Sequence, residues 1–356
     1  MNSSSHFFKD KPLFGLDIGS SSIKVMQLEH HAGKNQLVRG YGVTAYDVSS
    51  IKDGVIVDFK LLASSIQKLF KNDIIGEITT HRVAVSIPAS RTFTRSMSLP
   101  QIPDNELMQA VQIEAEQYIP VPLDDLYLDY TVVNRTPQGI ELLAVGVPKK
   151  IVDSYMLLIR MLGLEPVAFD TTILAASRLF RRQIYENDIP TVLIDFGAAT
   201  ADITIHDKGL VVTGTIPGGG NAFTDLIAQE LDITHQEAHI VKIKYGLSKS
   251  KKQDEITEAL LPRLNLLVKE IRRMIRYHEE RSNSTKKIEQ IITMGGGANM
   301  PGLSDYLTNE MRIPVRTCNP WQDLELGKLQ PPSAVEKSLY VTVSGLSLIS
   351  PKELFT

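Results

Sequence analysis

Two stretches of the chain can be laid over one another. LFGLDIGSSSIKVMQLE, from Leu13 to Glu29, and TVLIDFGAATADITIHD, from Thr191 to Asp207, put Asp17 on Asp195 and Gly19 on Gly197. Each reads as strand, Asp-x-Gly turn, strand, and the second strand of the first copy alternates apolar and polar residues as a half-buried strand does. At 356 residues the chain exceeds the size at which one core stops growing. A duplicated hairpin at that length constrains the fold to two related lobes, and a cleft between related lobes is a standard ligand site. The first turn is also over-equipped for a bend. Gly19 supplies tolerance of positive φ, and the hydroxyls of Ser20, Ser21 and Ser22, the Asp17 carboxylate and the nearby Lys24 are added to it.

Composition excludes several classes of function. A net charge of −3 removes the electrostatic argument for nucleic-acid binding. The single cysteine, Cys318, excludes an intramolecular disulfide and a cysteine-based metal site, and it fits a reducing, cytoplasmic compartment. The opening MNSSSHFFKDKP has no apolar core of signal-peptide length. Nowhere does the chain carry the ~18 uninterrupted apolar residues of a spanning helix, so any membrane association is expected through a partner.

Between the two copies, 61–71 has a helical period, 82–88 reads as a strand and RTFTRSMSLPQIP is extended. The next helix is expected to be N-capped by Asp104 and closed by Pro120 and Pro122, with Leu107, Val111, Ala115 and Ile119 on its apolar face. Two strands joined at Pro137-Gln138-Gly139 and a helix over 151–162 complete a small inserted block. After the second copy, Pro217-Gly218-Gly219-Gly220 leads into helices, the longest expected from about Glu255 to Arg281 with Pro262 near its first turn. A third glycine site, Gly295-Gly296-Gly297-Ala298-Asn299, follows the strand IEQIITM. Residues 320–338 read as loops, and VEKSLYVTVSGLSLI has no clear period.

Backbone N–H groups in tight glycine turns form anion-binding nests, and glycine lets phosphate oxygens approach closely. Carboxylates beside a phosphate require an intervening cation, which points to Mg²⁺ held through water. The glycines fit neither a P-loop nor a dinucleotide fingerprint.

LDIGSSSIKV, IDFGAATADITI and MGGGANMPG, in that order, resemble the phosphate-1, phosphate-2 and adenosine motifs of the actin-like ATPases. The inserted block resembles that of the cell-division protein FtsA, and SMSLP with QIEAEQYIPVPLDDL is similar to the PilM family of type IV pilus assembly proteins. The resemblance implies an α/β actin-like fold. Residues 1–88 and 161–189 would form the first lobe, 89–160 an FtsA-type (SHS2-like) inserted subdomain, 190–221 and 286–356 the second lobe, and 222–285 a helical subdomain. It also implies the ligands, ATP and Mg²⁺. Gly19, Ser20, Ser21, Ser22 and Lys24 would face the β- and γ-phosphates, with Asp17 near the metal. Gly197, Ala198, Ala199 and Thr200 would form the opposing hairpin, with Asp195 on metal or water. Gly218, Gly219, Gly295, Gly296, Gly297 and Asn299 would border ribose and adenine. For Lys24 the plain alternative is a solvated strand residue.

One departure concerns the ribose. FtsA-like chains read Ala-Glu-x-x-Lys before Tyr-Gly, whereas Ala238-His239-Ile240-Val241-Lys242 places a histidine there, leaving Glu237 or Lys242 to serve. Asp170, where the chain crosses between lobes, stands either as the carboxylate that orients water, with slow turnover, or as the N-cap of the next helix. The function implied is a cytoplasmic, ATP-binding scaffold of the pilus inner-membrane complex. Its partner would be the N-terminal cytoplasmic segment of PilN, docked between the first lobe and the inserted subdomain near Ser96–Pro103 and helix 104–119. Other machine components and a homo-oligomer are compatible with it. The two competing readings are an FtsA-like filament and a small-molecule kinase of the same fold. The ending SGLSLISPKELFT lacks the basic amphipathic pattern of a membrane-anchoring helix.

Overall fold

The computed structural model describes residues 11–29, 35–184, 189–207, 210–281 and 286–349. The N-terminal MNSSSHFFKD and the closing SPKELFT lie outside the described residues. Two compact units are present. The first comprises the chain up to Gln183, 320–332 and the described residues from Tyr340, and the second comprises Ile184–Asn319 and Ser333–Leu339.

The first unit begins with β1 (Phe14–Ile18), β2 (Ser22–Glu29) and β3 (Gln36–Ala45), then a small ladder of β4 (Ile51–Lys52) and β5 (Val55–Ile56). Helix α1 (Phe59–Asn72) follows, its N-cap Asp58 accepting from Leu61 N at 2.9 Å. Leu62, Ile66 and Leu69, one face at helical spacing, are fully buried. After β6 (Ile74–Gly76) and β7 (Arg82–Ile87) comes the inserted block of β8 (Phe93–Leu99), α2 (Asp104–Glu116), β9 (Leu126–Thr136) and β10 (Gly139–Pro148). Then α3 (Lys149–Met161), β11 (Glu165–Thr171) and α4 (Thr172–Ile184) return the chain to the main sheet. That sheet runs β11-β7-β1-β2-β3, and the inserted block has its own three-stranded sheet, β8-β10-β9. Helix α2 closes one face of the small sheet through Leu107, Val111 and Ala115 against Met97, Leu99, Ile140 and Leu142.

The second unit contains β12 (Thr191–Phe196), β13 (Thr200–His206), β14 (Leu210–Pro217), α5 (Gly220–Leu231), α6 (His235–Lys244) and α7 (Gln253–Arg281). It continues with β15 (Gln290–Met294), α8 (Leu303–Met311) and β16 (Val315–Thr317). Its sheet runs β16-β15-β12-β13-β14. Strand for strand this is the order of the first sheet, with β1 and β12 each antiparallel to the strand that follows and parallel to a later one. The duplicated hairpins are thus set in sheets whose five strands follow the same order. The last elements, β17 (Leu324–Glu325) and α9 (Val341–Ser347), belong to the first unit: β17 pairs with β3, and α9 packs on β1, β2 and β7.

Four local expectations are corrected. Asp104 is the first residue of α2, Pro103 takes the cap position, and the Asp104 carboxylate pairs instead with Arg135. The helix stops at Glu116, before either proline. Pro262 lies inside α7, well past its first turn, on an exposed position. The expectation that 286–356 belongs wholly to the second lobe fails for 320–332 and for α9. Every residue of α9 is buried, so it carries no polar face, and without one its period could not be read.

Candidate functional site

In the first hairpin Asp17 and Lys24 are register partners, with Lys24 Nζ 3.0 Å from Asp17 Oδ2 and both residues buried. Ser86 on β7 donates from Oγ to Asp17 Oδ1 at 2.6 Å. Lys24 is thus no solvated strand residue. It neutralises a buried carboxylate and lies under the tip, where a Cβ on Gly19 would come within 2.9 Å of Nζ. Gly19 does not use a positive φ, since its φ is outside the left-handed region.

The tip backbone is tied down from inside. Gly19 N–H donates to Ser22 O at 3.0 Å, and the hydroxyl of Tyr46, just past β3, donates to Gly19 O at 2.8 Å. A trans peptide points its N–H opposite to its carbonyl. Holding Gly19 O inward therefore turns Ser20 N–H outward, where Ser20 and Ser21 are exposed. Burial, and then the Asp17 charge, push the Tyr46 phenol up to about 12, so it stays a donor.

The second hairpin is held in a different way. The carbonyls of Gly197, Ala198 and Ala199 accept from the N–H groups of Gly220, Asn221 and Gly218, each at 2.9 Å. By the same peptide geometry the N–H groups of Ala198 and Ala199 face away from α5, as in an anion nest. Gly219 is required by contact, because a Cβ there would stand 2.2 Å from Gly197 O. Thr200 opens β13. Gly295 has a φ of +78°, and a Cβ there would meet Asp195 Oδ1 at 2.3 Å. The third glycine site is thereby packed directly on the second hairpin, with Gly296 and Gly297 in the short turn that follows.

Asn299 is committed to its own lobe. Its Nδ2 donates to Val335 O at 2.6 Å and to Ser338 Oγ at 2.9 Å, and Ser338 in turn binds Gly295 O at 3.0 Å. A cavity of about 370 Å³ lined by Asn299, Cys318 and Lys337 includes none of Gly295–Gly297.

The two ribose candidates have structural duties. Glu237 completes a capping box with Thr234 at the start of α6. Lys242 is buried between α5 and α6, donating at 2.7 Å to both Gly220 O and Thr224 Oγ1. Desolvation lowers its pKa to about 8. His239 is pushed down by partial burial and by Lys242.

Thr171 Oγ1 accepts from Leu174 N at 3.2 Å at the start of α4, and Asp170 Oδ2 is 2.8 Å from Arg178 Nη1, which makes the residue an ion-pair partner. Sequence reasoning missed Tyr46, Ser86 and Arg178, which carry no local motif. It also passed over Asp202, although the duplication places it opposite Asp195 as Lys24 stands opposite Asp17. Burial raises the Asp202 carboxyl while a hydrogen bond from Thr215 lowers it.

These donor sets suit phosphate oxygens: serine hydroxyls, outward N–H groups and a buried ammonium. They do not suit a protein cage for a metal. Asp17 is already neutralised by Lys24, and among the described residues no three His, Cys, Asp or Glu side chains come together. A divalent cation at such a site is carried by phosphates and water.

Comparison with known proteins follows this architecture. The chain is 24% identical over 361 residues to the cell division protein FtsA of Enterococcus hirae, covering 86% of this chain and 78% of that one. A solved PilM-PilN type IV pilus biogenesis complex superposes with a TM-score of 0.82 at 22% identity, over 94% of this chain and 97% of that one. MreB 5 of Spiroplasma citri bound to AMPPNP superposes with a TM-score of 0.52 at 14% identity, over 95% of each chain. These likenesses mark the fold as actin-like. The family model described as type IV pilus assembly protein PilM matches residues 15–350, and the chain belongs to that family.

Proposed function

We propose that the chain is an ATP-binding scaffold of the type IV pilus inner-membrane complex that docks the N-terminal cytoplasmic segment of PilN. The observation that carries the ATP reading is the pair of Asp-x-Gly tips, the first with its Gly19 carbonyl held by Tyr46 and the second with the carbonyls of Gly197, Ala198 and Ala199 held by the N–H groups of Gly220, Asn221 and Gly218. The residues proposed for the first tip are Gly19, Ser20, Ser21, Ser22 and Lys24, and for the second Gly197, Ala198, Ala199 and Thr200. Gly218, Gly219 and Gly295–Gly297 form the turns beside the second tip. ATP would supply a polyanion, and its Mg²⁺ would be carried by the phosphates and water. Glu237, Lys242 and Asn299 act by holding α5, α6 and the third turn in place. Support also comes from the nucleotide named with the MreB relative.

PilN is named in the complex of similar fold. An extended peptide needs an open sheet edge or an apolar groove. Strand β8 lies at one edge of its sheet and pairs with β10 alone, beside the stretch Ser96–Pro103. The segment would lie between this inserted subdomain and the main sheet of the first unit. None of the described helices is long and apolar enough to cross a membrane, which is compatible with recruitment to the inner membrane through a partner. The kinase reading is the weaker one, because Asp170, its base candidate, is paired with Arg178.

The test is a calorimetric titration of the full chain with a synthetic PilN N-terminal peptide, with and without Mg-ATP. Saturable binding is expected in at least one condition, and the difference between conditions measures the coupling. Absence of binding in both would sink the docking reading, and absence of Mg-ATP binding would sink the nucleotide reading.

A further inference from the structure

Tyr155 lies on α3 and is fully buried, and its hydroxyl has no hydrogen-bond partner. Buried hydroxyls are nearly always satisfied, so an orphan of this kind calls for an explanation. Tyr155 sits in the core of the first unit, and Tyr46 packs against that same cluster. Burial raises its phenol, with further contributions from Tyr46 and Asp17. It thus shares a core with Tyr46, which holds the Gly19 carbonyl of the first hairpin.

The other face of α3 leads to the inserted subdomain. Helix α3 starts at the residue after β10 ends, so no loop absorbs movement between them. Tyr127 on β9 donates from its hydroxyl to Asp153 on α3 at 3.0 Å, and the Lys149 ammonium stands 5.7 Å from the Tyr127 ring centre. Ser154 is also fixed, accepting from Ile56 N at 3.2 Å and donating to Ile151 O at 2.7 Å. Tyr46, which holds the Gly19 carbonyl, shares this core with Tyr155, Ile151 and Ile159 of α3, and Asp153 on the same helix accepts from Tyr127 on the inserted sheet.

We propose that Tyr46 and Tyr155 are positioning residues that relay the state of the Gly19–Ser22 tip through α3 to the inserted subdomain. Phosphate drawn onto Ser20 N–H reorients the peptide whose carbonyl Tyr46 holds. The Tyr46 hydroxyl then shifts, and the unpartnered Tyr155 hydroxyl is the group able to take up that change. The proposal rests on the phosphate reading of the first hairpin and adds the route by which that site reaches the docking subdomain.

Amide hydrogen exchange of the full chain, with and without Mg-ATP, tests it. In the unsubstituted protein, Mg-ATP is expected to slow exchange over β1 and β2, residues 14–29, and to change it over β9 to α3, residues 126–161. Failure to slow 14–29 would refute the nucleotide reading itself. Slowing there with no change over 126–161 would overturn the relay alone.

Tyr155→Phe is expected to keep the effect at 14–29 and lose it at 126–161. Removing an unpartnered hydroxyl leaves no donor or acceptor stranded, so this variant is expected to fold at least as stably as the original. Tyr46→Phe frees the Gly19 carbonyl, and it is expected to weaken Mg-ATP binding by roughly three- to tenfold, the worth of one hydrogen bond. Tyr127→Phe alters an exposed side chain at the far end of the proposed relay, and it is expected to shrink the distant response while nucleotide affinity is unchanged. A full response at 126–161 in both Tyr155→Phe and Tyr127→Phe would overturn the proposal.

Discussion

Asp17 and Lys24 show how one buried pair bears on the stability of the first hairpin. A buried carboxylate stripped of its cation is costly, by about 3–5 kcal/mol in measured cases. Lys24→Met keeps the volume and removes the charge, leaving Asp17 with only the Ser86 hydroxyl. Urea unfolding should then show stability lower by ~3 kcal/mol, with most of the loss recovered in the Lys24→Met, Asp17→Asn double variant. A single variant as stable as the parent would refute the pairing.

Lys242 gives a pH signature of known sign. Unfolded, it holds its proton up to the ordinary lysine value of 10.5, and folded it releases it at about 8. Between these values the unfolded state binds more protons, so stability rises with pH across that window. Below about 8 both states are charged and the cost of burying the ammonium is fully present. The rise should be visible in denaturant midpoints, and Lys242→Met should flatten it. An equal slope in the variant would assign the rise to other groups.

Among the elements, α9 depends most on small residues. A Cβ at Gly345 would fall 1.8 Å from the carbonyl oxygen of Ala175 on α4, so the two helices touch backbone to backbone. Overpacking a core usually costs ~1–3 kcal/mol, and here the obstacle is backbone that cannot rotate away. Gly345→Ala should reduce the unfolding free energy by at least ~3 kcal/mol, read by denaturant melts. A near-neutral result would mean that α9 is not seated on α4 in this way. The hairpins were legible in the sequence as elements, since each Asp-x-Gly turn sits between runs of clear period. The start of α4 was not: Asp170 and Thr171 are both good caps by residue type, and the fold sets Thr171 Oγ1 on Leu174 N and Asp170 on Arg178.

For the molecule as a whole, the net charge of −3 and the absence of an apolar spanning helix among those described bear on membranes. The full chain should remain in the supernatant when sedimented with vesicles rich in anionic lipid, and join the pellet only when the vesicles display the PilN segment. Sedimentation without the partner would show an anchor of its own.

Duplication, the two hairpins, the third glycine site and the inserted block could be read in one dimension, because each is a local pattern of period and turn chemistry. The proposal that the tips bind phosphate also starts from a local pattern, glycine, hydroxyl and carboxylate at fixed spacing. The tertiary structure decided what those side chains do to one another. It set Lys24 on Asp17 and Tyr46 on the Gly19 carbonyl, locked Lys242 beneath α5 and Asn299 onto 335–338, and returned α9 to the first unit. Each of these depends on which side chains and backbone groups folding brings face to face, or buries a segment on all sides. Periodicity records only the boundary between core and solvent, and an element without that boundary, or a partner from another strand, leaves no mark in it.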